Sequence, residues 1–150
     1  MESARANAPS DGGTPRNATL RILIVEDSDD CAKSMAMLLR FQGHEVRIAR
    51  NGAEALDAAR AALPDVVLLD IGLPGMNGYK VAEQFSVIWR SKPPFLVAVT
   101  GFGQTSDRQH SSEAGIDVHL VKPVALSELQ TVLAGFQQLI HSRAQRRLPT

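Results

Sequence analysis

Asp65-Val66-Val67-Leu68-Leu69-Asp70 is an apolar run between two acids, and the turn-rich segment 71–78 follows it directly. Four consecutive branched apolar residues between such breakers are typical of a strand buried on both faces, as in a parallel sheet. Asp70 is therefore expected where a central strand ends. Because ligands in open α/β sheets bind outside the carboxyl ends of the strands, Asp70 is a candidate for chemistry. The alternative is an aspartate that only caps a turn.

The rest of the chain alternates apolar segments with amphipathic segments. We expect five strands, at 20–25, 44–49, 65–70, 95–99 and 117–121. We expect five helices, at 28–42, 51–62, 77–90, 105–114 and 125–141. The polar–apolar alternation of 44–49 places that strand near an edge. Strict alternation of strands and helices predicts a doubly wound α/β fold, with a parallel sheet and helices on both of its faces.

Composition favours one folded domain within the 150 residues. We expect a disordered N-terminal tail at 1–19, a folded domain at 20–141 and a short basic C-terminal tail at 142–150. The folded part carries 11 basic and 14 acidic side chains, which argues against a nucleic-acid-binding surface. A single cysteine, Cys31, excludes an internal disulfide and fits a reducing compartment. Without a membrane-spanning apolar stretch or a secretory signal, a cytoplasmic location is expected.

Polar side chains end four of the predicted strands. Glu26 and Asp27 follow the first strand, Asp70 ends the third, Thr100 follows the fourth and Lys122 follows the fifth. If the strands are parallel, these residues share one edge of the sheet. At an effective dielectric constant near 20, each close pair of carboxylates costs roughly 4 kcal/mol, so a cation is expected there. Oxygen ligation by few protein groups suits Mg²⁺, and Ca²⁺ is the alternative although no EF-hand loop is present.

The same edge has the residue types of a phosphoryl-transfer site. Lys122 offers a mobile positive charge, Thr100 offers a hydroxyl, and Gly101 lets the backbone approach an anion. No phosphate-binding loop for a nucleoside triphosphate is present. Asp70 is then the expected nucleophile, which would form an acyl phosphate.

With these residues in order at strand ends, the chain resembles the receiver domain of two-component response regulators over residues 20–141. The resemblance implies a flavodoxin-like five-stranded sheet of order 2-1-3-4-5, and Asp70 as the phosphoacceptor for a sensor histidine kinase or a histidine phosphotransfer protein. It implies that Mg²⁺ is held by Glu26, Asp27, Asp70 and the backbone carbonyl of Gly72. Thr100 and Lys122 match the residues that contact the phosphoryl group. The Lys122–Pro123 peptide bond matches a bond that is usually cis.

The sequence departs from the family pattern mildly at Glu26, where an aspartate is common, and more clearly at His119. Many members have Tyr or Phe at the latter position, as a ring that moves inward together with the threonine. We therefore expect Thr100 and His119 to act as a switch that couples Asp70 to the face of the fourth helix, the fifth strand and the fifth helix more weakly than in those members, or differently. The alternative is that His119 is an ordinary half-exposed histidine of the strand. Gly72 and Phe102 lie at positions that tune access of water to the acyl phosphate in the family.

Only nine residues follow position 141, too few for a DNA-binding or enzymatic domain. If the chain is complete, the expected output is a protein contact or passage of the phosphoryl group to a phosphotransfer histidine. The resemblance assigns that contact to the face of the fourth helix, the fifth strand and the fifth helix. The expected partners are the phosphoryl donor and a downstream protein, without nucleic acid or membrane, and a homodimer is kept as an alternative. A single-domain response regulator and a receiver from a hybrid sensor kinase are the nearest types.

Two other functions share part of this pattern. One is an interaction module on the same fold that does not depend on phosphorylation; the complete set of acids, threonine and lysine argues against it. The other is a phosphatase of the haloacid dehalogenase type, which also uses an aspartate nucleophile. That family has a second aspartate two residues after the first, where this chain has Gly72, and no cap domain is seen. The expectation is a signalling domain that catalyses only its own phosphorylation and dephosphorylation.

Overall fold

The computed structural model describes residues 19–72, 77–101 and 113–146, with side chains described as far as residue 140. The strands are β1 (Arg21–Val25), β2 (Glu45–Ala49), β3 (Val66–Asp70), β4 (Phe95–Thr100) and β5 (Val118–Val121). The helices within these ranges are α1 (Asp29–Phe41), α2 (Gly52–Ala61), α3 (Gly78–Ile88) and the C-terminal helix (Leu126–Arg146). Of the helix predicted at 105–114, residues 113 and 114 are helical and the others lie outside the described residues.

The five strands form one parallel sheet in the order β2-β1-β3-β4-β5. The predicted 2-1-3-4-5 order is thus confirmed, and so is the position of the alternating strand β2 at an edge. In the register of the sheet, Val25 pairs with Leu69, Asp70 with Val99 and Thr100 with Val121. The carboxyl ends of β1, β3, β4 and β5 therefore meet at the same edge.

Helices cover both faces of this sheet. One core cluster joins the strand residues Leu23, Val67 and Leu69 to α2 and α3, with Phe85 of α3 fully buried in it. The helix α1 packs against β1 and β2 with a separate set of buried residues, Ala32, Ala36 and Leu39. All five residues of β3 are buried, as the apolar run predicted for a central strand. The doubly wound architecture is therefore confirmed.

The starts of the helices agree with the sequence, whereas the end of the last helix does not. The caps Ser28, Asn51 and Asn77 each accept a hydrogen bond from a backbone N–H of the first turn. The C-terminal helix continues past the predicted end at residue 141 to Arg146. Arg, Ala and Gln in 143–146 are good helix formers, and the next proline is Pro149, so no strong stop lies before it.

The predicted N-terminal tail at 1–19 lies almost wholly outside the described residues. Phe102 and residues 147–150 of the predicted C-terminal tail also lie outside them. The division into these segments therefore stays a prediction. Within the ranges that the structure describes, none of the helices has the length and apolar character needed to cross a membrane.

His44 gives the fold a pH dependence with a definite sign. Its Nδ1 accepts a hydrogen bond from the Leu20 N–H at 3.1 Å, and burial lowers the pKa of the imidazole. The unfolded chain then binds this proton more readily than the folded chain. We expect the free energy of unfolding to fall as the pH drops below about 6.5, the ordinary histidine pKa, in urea titrations. His44→Asn keeps an acceptor without the titration, so the slope should be shallower; an equal slope would rule out His44 as its source.

Candidate functional site

Strand ends bring the predicted site residues together. Glu26 follows β1 and extends its pairing with β2, because its N–H donates to the Ala49 carbonyl at 2.9 Å. Asp70 is the last residue of β3 and Thr100 the last residue of β4. Lys122 follows β5, and its N–H donates to the Thr100 carbonyl at 2.7 Å. The backbone pairing of the sheet therefore fixes the Cα positions from which these side chains extend.

Three carboxylates converge at this edge. Oxygens of Glu26, Asp27 and Asp70 all lie within 4.8 Å of one another. Glu26 and Asp70 are 7% and 8% exposed, while Asp27 faces solvent. Two backbone groups orient the buried pair: the Ser28 N–H donates to Glu26 Oε2 at 3.1 Å, and the Gly72 N–H donates to Asp70 Oδ1 at 2.9 Å. Each buried acid keeps its second oxygen for another partner.

That partner is Lys122 in both cases. Its Nζ lies 2.8 Å from Glu26 Oε1 and 3.3 Å from Asp70 Oδ2. Partial burial favours the neutral amine, but the hydrogen bond to Glu26 and the charges of Asp70 and Glu26 outweigh this effect, so the pKa of Lys122 is raised. Lys122 is therefore charged at neutral pH, and it compensates only part of the negative charge of three carboxylates.

The donor set at this edge fits a hard divalent cation. Three carboxylates supply only oxygen, one of them is open to solvent, and the remaining positions can be filled by water or by a phosphate oxygen. This combination is typical of Mg²⁺ sites. Glu26, Asp27 and Asp70 are thus the residues that could hold the ion. The structure describes Gly72 through its N–H contact with Asp70, and a ligand role for its carbonyl stays a prediction.

The remaining predicted residues surround this cluster. Thr100 is 4% exposed, and its hydroxyl donates to the Leu120 carbonyl at 3.5 Å. Gly101 follows β4 and is half-buried. The Lys122–Pro123 peptide bond is cis. His119 lies in β5 opposite Ala98 and is half-buried. The proposed switch and phosphoryl-contact roles of these residues stay predictions.

Gly78 supports the site, although the sequence predicted only that it opens a helix. It opens α3, and its N–H donates to the Ile71 carbonyl at 3.0 Å. A Cβ at this position would lie 2.6 Å from the Ile71 Cα and 3.0 Å from the Asp70 carbonyl oxygen. The helix therefore packs directly on the backbone that carries Asp70. A glycine placed right after the capping Asn77 was the available signal, because glycine is a poor helix residue unless close packing requires it.

Comparisons with known proteins agree with this geometry. Residues 22–134 match the model of the family described as response regulator receiver domain. The chain is 35% identical over 119 residues to the protein PilH of Pseudomonas aeruginosa, covering 77% of this chain and 98% of PilH. It is 36% identical over 110 residues to the response regulator MprA of Mycolicibacterium vanbaalenii, and it spans 47% of that longer protein.

A solved structure of a CheY-like response regulator receiver domain protein from Methanospirillum hungatei has the same fold. It superimposes with a TM-score of 0.76 at 28% sequence identity, over 84% of this chain and 99% of the other. The order of the strands and the fold class therefore agree with those of a receiver domain.

Proposed function

The chain belongs to the response regulator receiver domain family, and from that premise we propose that Asp70 accepts a phosphoryl group in a Mg²⁺-dependent step. The proposed donor is the phosphohistidine of a sensor histidine kinase or of a histidine phosphotransfer protein. The observation that carries the proposal is the contact of Lys122 Nζ with Asp70 Oδ2 at 3.3 Å, inside a cluster of three carboxylates. Receivers in this family are signalling domains of two-component systems.

The chemistry follows from the side chains at the site. An oxygen of Asp70 forms a bond to phosphorus while the bond from phosphorus to the imidazole nitrogen of the donor breaks, which leaves an acyl phosphate on Asp70. The Gly72 N–H fixes the orientation of the Asp70 carboxylate, and Lys122 neutralises negative charge on the phosphoryl oxygens. Mg²⁺, held by Glu26, Asp27, Asp70 and the Gly72 carbonyl, supplies further charge neutralisation when bound.

The proposed output is a protein contact that depends on this modification. Phosphorylation adds about −1.5 to −2 charge at the site. Thr100 joins the site to β5, where His119 is half-buried and Val121 is 53% exposed. We assign to Thr100 and His119 the coupling between Asp70 and the face that includes β5. We propose that the domain comprises residues 20–141 and acts in the cytoplasm. Its proposed role is that of a phosphoacceptor rather than of an enzyme that acts on a separate substrate.

Acetyl phosphate tests the function on the full chain. With Mg²⁺, intact-protein mass spectrometry is expected to detect one added phosphoryl group, and with a chelator in place of Mg²⁺ the adduct should fall to background. The reason is that three carboxylates without a cation repel an incoming phosphate. No adduct with Mg²⁺, or an equal adduct without it, would overturn the proposal. Repeated turnover of a generic phosphate ester would instead favour the phosphatase alternative.

A further inference from the structure

Lys122 is shared unequally between the two buried acids of the site. Its Nζ is 2.8 Å from Glu26 and 3.3 Å from Asp70, so the closer contact is with the acid that follows β1 rather than with the phosphoacceptor. Only about a third of the Lys122 side chain is exposed, and the Glu26 side chain is almost fully buried. The Glu26–Lys122 contact is thus part of the interior of the site.

The length of the Glu26 side chain makes this contact compatible with its other bond. One carboxylate oxygen accepts from the Ser28 N–H, which anchors the group beside the start of α1, while the other reaches Lys122. An aspartate at position 26 is one methylene shorter. It could keep a carboxylate near Asp27 and Asp70, but it would not bridge from the Ser28 N–H to Lys122 in the same way.

Both oxygens of Glu26 are therefore engaged at the place where a cation would bind. A cation that binds Glu26 Oε1 would lie close to the Lys122 ammonium, and the repulsion between the two positive charges favours displacement of Lys122 from this oxygen. Asp27 faces solvent, so a cation can bind its carboxylate without displacing Lys122.

We propose that Glu26 is a positioning residue that holds Lys122 until Glu26 takes up the cation, and that uptake of the cation frees Lys122 for Asp70 and its phosphoryl group. This inference rests on the proposed function, since it assumes that the three carboxylates hold Mg²⁺. It adds that the cation and Lys122 compete for one carboxylate. Loading of the site and release of its lysine then become a single event, and the glutamate at position 26 sets the threshold for that event.

Calorimetric titration of the full chain with Mg²⁺ tests the competition. Lys122→Met removes the competing charge and is expected to tighten Mg²⁺ binding by about fivefold or more. In the Glu26→Asp background the shorter side chain weakens the contact with Lys122, so Lys122→Met should tighten Mg²⁺ binding by less than about twofold. The two backgrounds form a double-mutant cycle that isolates the interaction between positions 26 and 122. Arg50→Met is the matched control, because Arg50 carries the same charge as Lys122 but pairs with Asp29 at 2.9 Å rather than with Glu26. Its effect should stay below about twofold.

The possible results separate the inference from the proposed function. An equal gain from Lys122→Met in both backgrounds, or no gain at all, would overturn the competition while leaving Asp70 as phosphoacceptor. Lys122→Gln replaces Lys122→Met if circular dichroism shows that the methionine variant does not fold, with the same expected results. A wild-type chain that binds no Mg²⁺ and gains no phosphoryl group from acetyl phosphate would overturn both the competition and the proposed function.

Discussion

Replacing Asp70 with asparagine is expected to reduce the phosphoryl adduct formed from acetyl phosphate and Mg²⁺ to background. The amide side chain lacks the anionic oxygen that attacks phosphorus, and the contact of Lys122 with a charged partner at 3.3 Å would be lost. The amide oxygen can still accept the Gly72 N–H, so the local backbone should be retained. Intact-protein mass spectrometry of both chains, at matched protein and acetyl phosphate concentrations, measures the difference.

The matched control for this substitution lies at the other end of the same segment. Asp65 precedes β3, and its Oδ2 accepts the Arg21 N–H at 2.8 Å, far along the strand from the carboxylate cluster. Asp65→Asn keeps an acceptor oxygen and is expected to leave the adduct at the wild-type level. An Asp70→Asn chain that is folded and labelled as well as wild type would refute the role of Asp70. Partner binding that is unchanged by Asp70→Asn would favour the interaction module that does not depend on phosphorylation.

Gly78→Ala is expected to cause a large loss of stability for the addition of one methyl group. The added Cβ would meet backbone atoms of Ile71 and Asp70, which cannot move without shifting β3 or α3. Overpacking of this kind typically costs about 1–3 kcal/mol in the free energy of unfolding, and the backbone contact places Gly78 at the upper end or beyond. Urea denaturation followed by circular dichroism measures the change. Because the displaced backbone carries Asp70, we also expect slower labelling by acetyl phosphate.

Gly135→Ala provides the control for Gly78→Ala. Gly135 lies within the C-terminal helix, and a Cβ there would meet no atom within 4 Å. Alanine is the better helix residue, so this substitution should stabilise the chain by roughly 0.5–1 kcal/mol. Equal effects from the two substitutions, in either direction, would show that the close approach of α3 to Asp70 is not a constraint.

The parts of the fold that depend on local pattern were predictable from the sequence. The uninterrupted run at 66–69 predicted a buried central strand, and the predicted helix starts at 28, 51 and 77 coincide with the observed caps Ser28, Asn51 and Asn77. Once the strands are parallel, the convergence of their last residues follows from topology alone. This is why Asp70 and Lys122, which are 52 residues apart, could be placed at one site from the sequence alone.

The parts that depend on distances between distant residues were not predictable. Nothing in the sequence shows that Lys122 lies nearer to Glu26 than to Asp70, because that depends on side-chain length and on the Ser28 N–H that anchors Glu26. The hydrogen bond of Thr100 to the Leu120 carbonyl depends on the register of β4 and β5. The C-terminal helix ends later than predicted because 142–146 contains no strong stop signal, and composition alone was a poor guide to its end.

The most direct test of Asp70 as phosphoacceptor locates the phosphoryl group on the chain. After labelling with acetyl phosphate and Mg²⁺, reduction with borohydride converts an aspartyl phosphate to homoserine, which peptide mass spectrometry assigns to one position. We expect homoserine at position 70, in amounts that follow the adduct seen on the intact protein. Homoserine at position 27 or elsewhere with an unmodified Asp70, or an adduct that resists borohydride, would contradict the assignment.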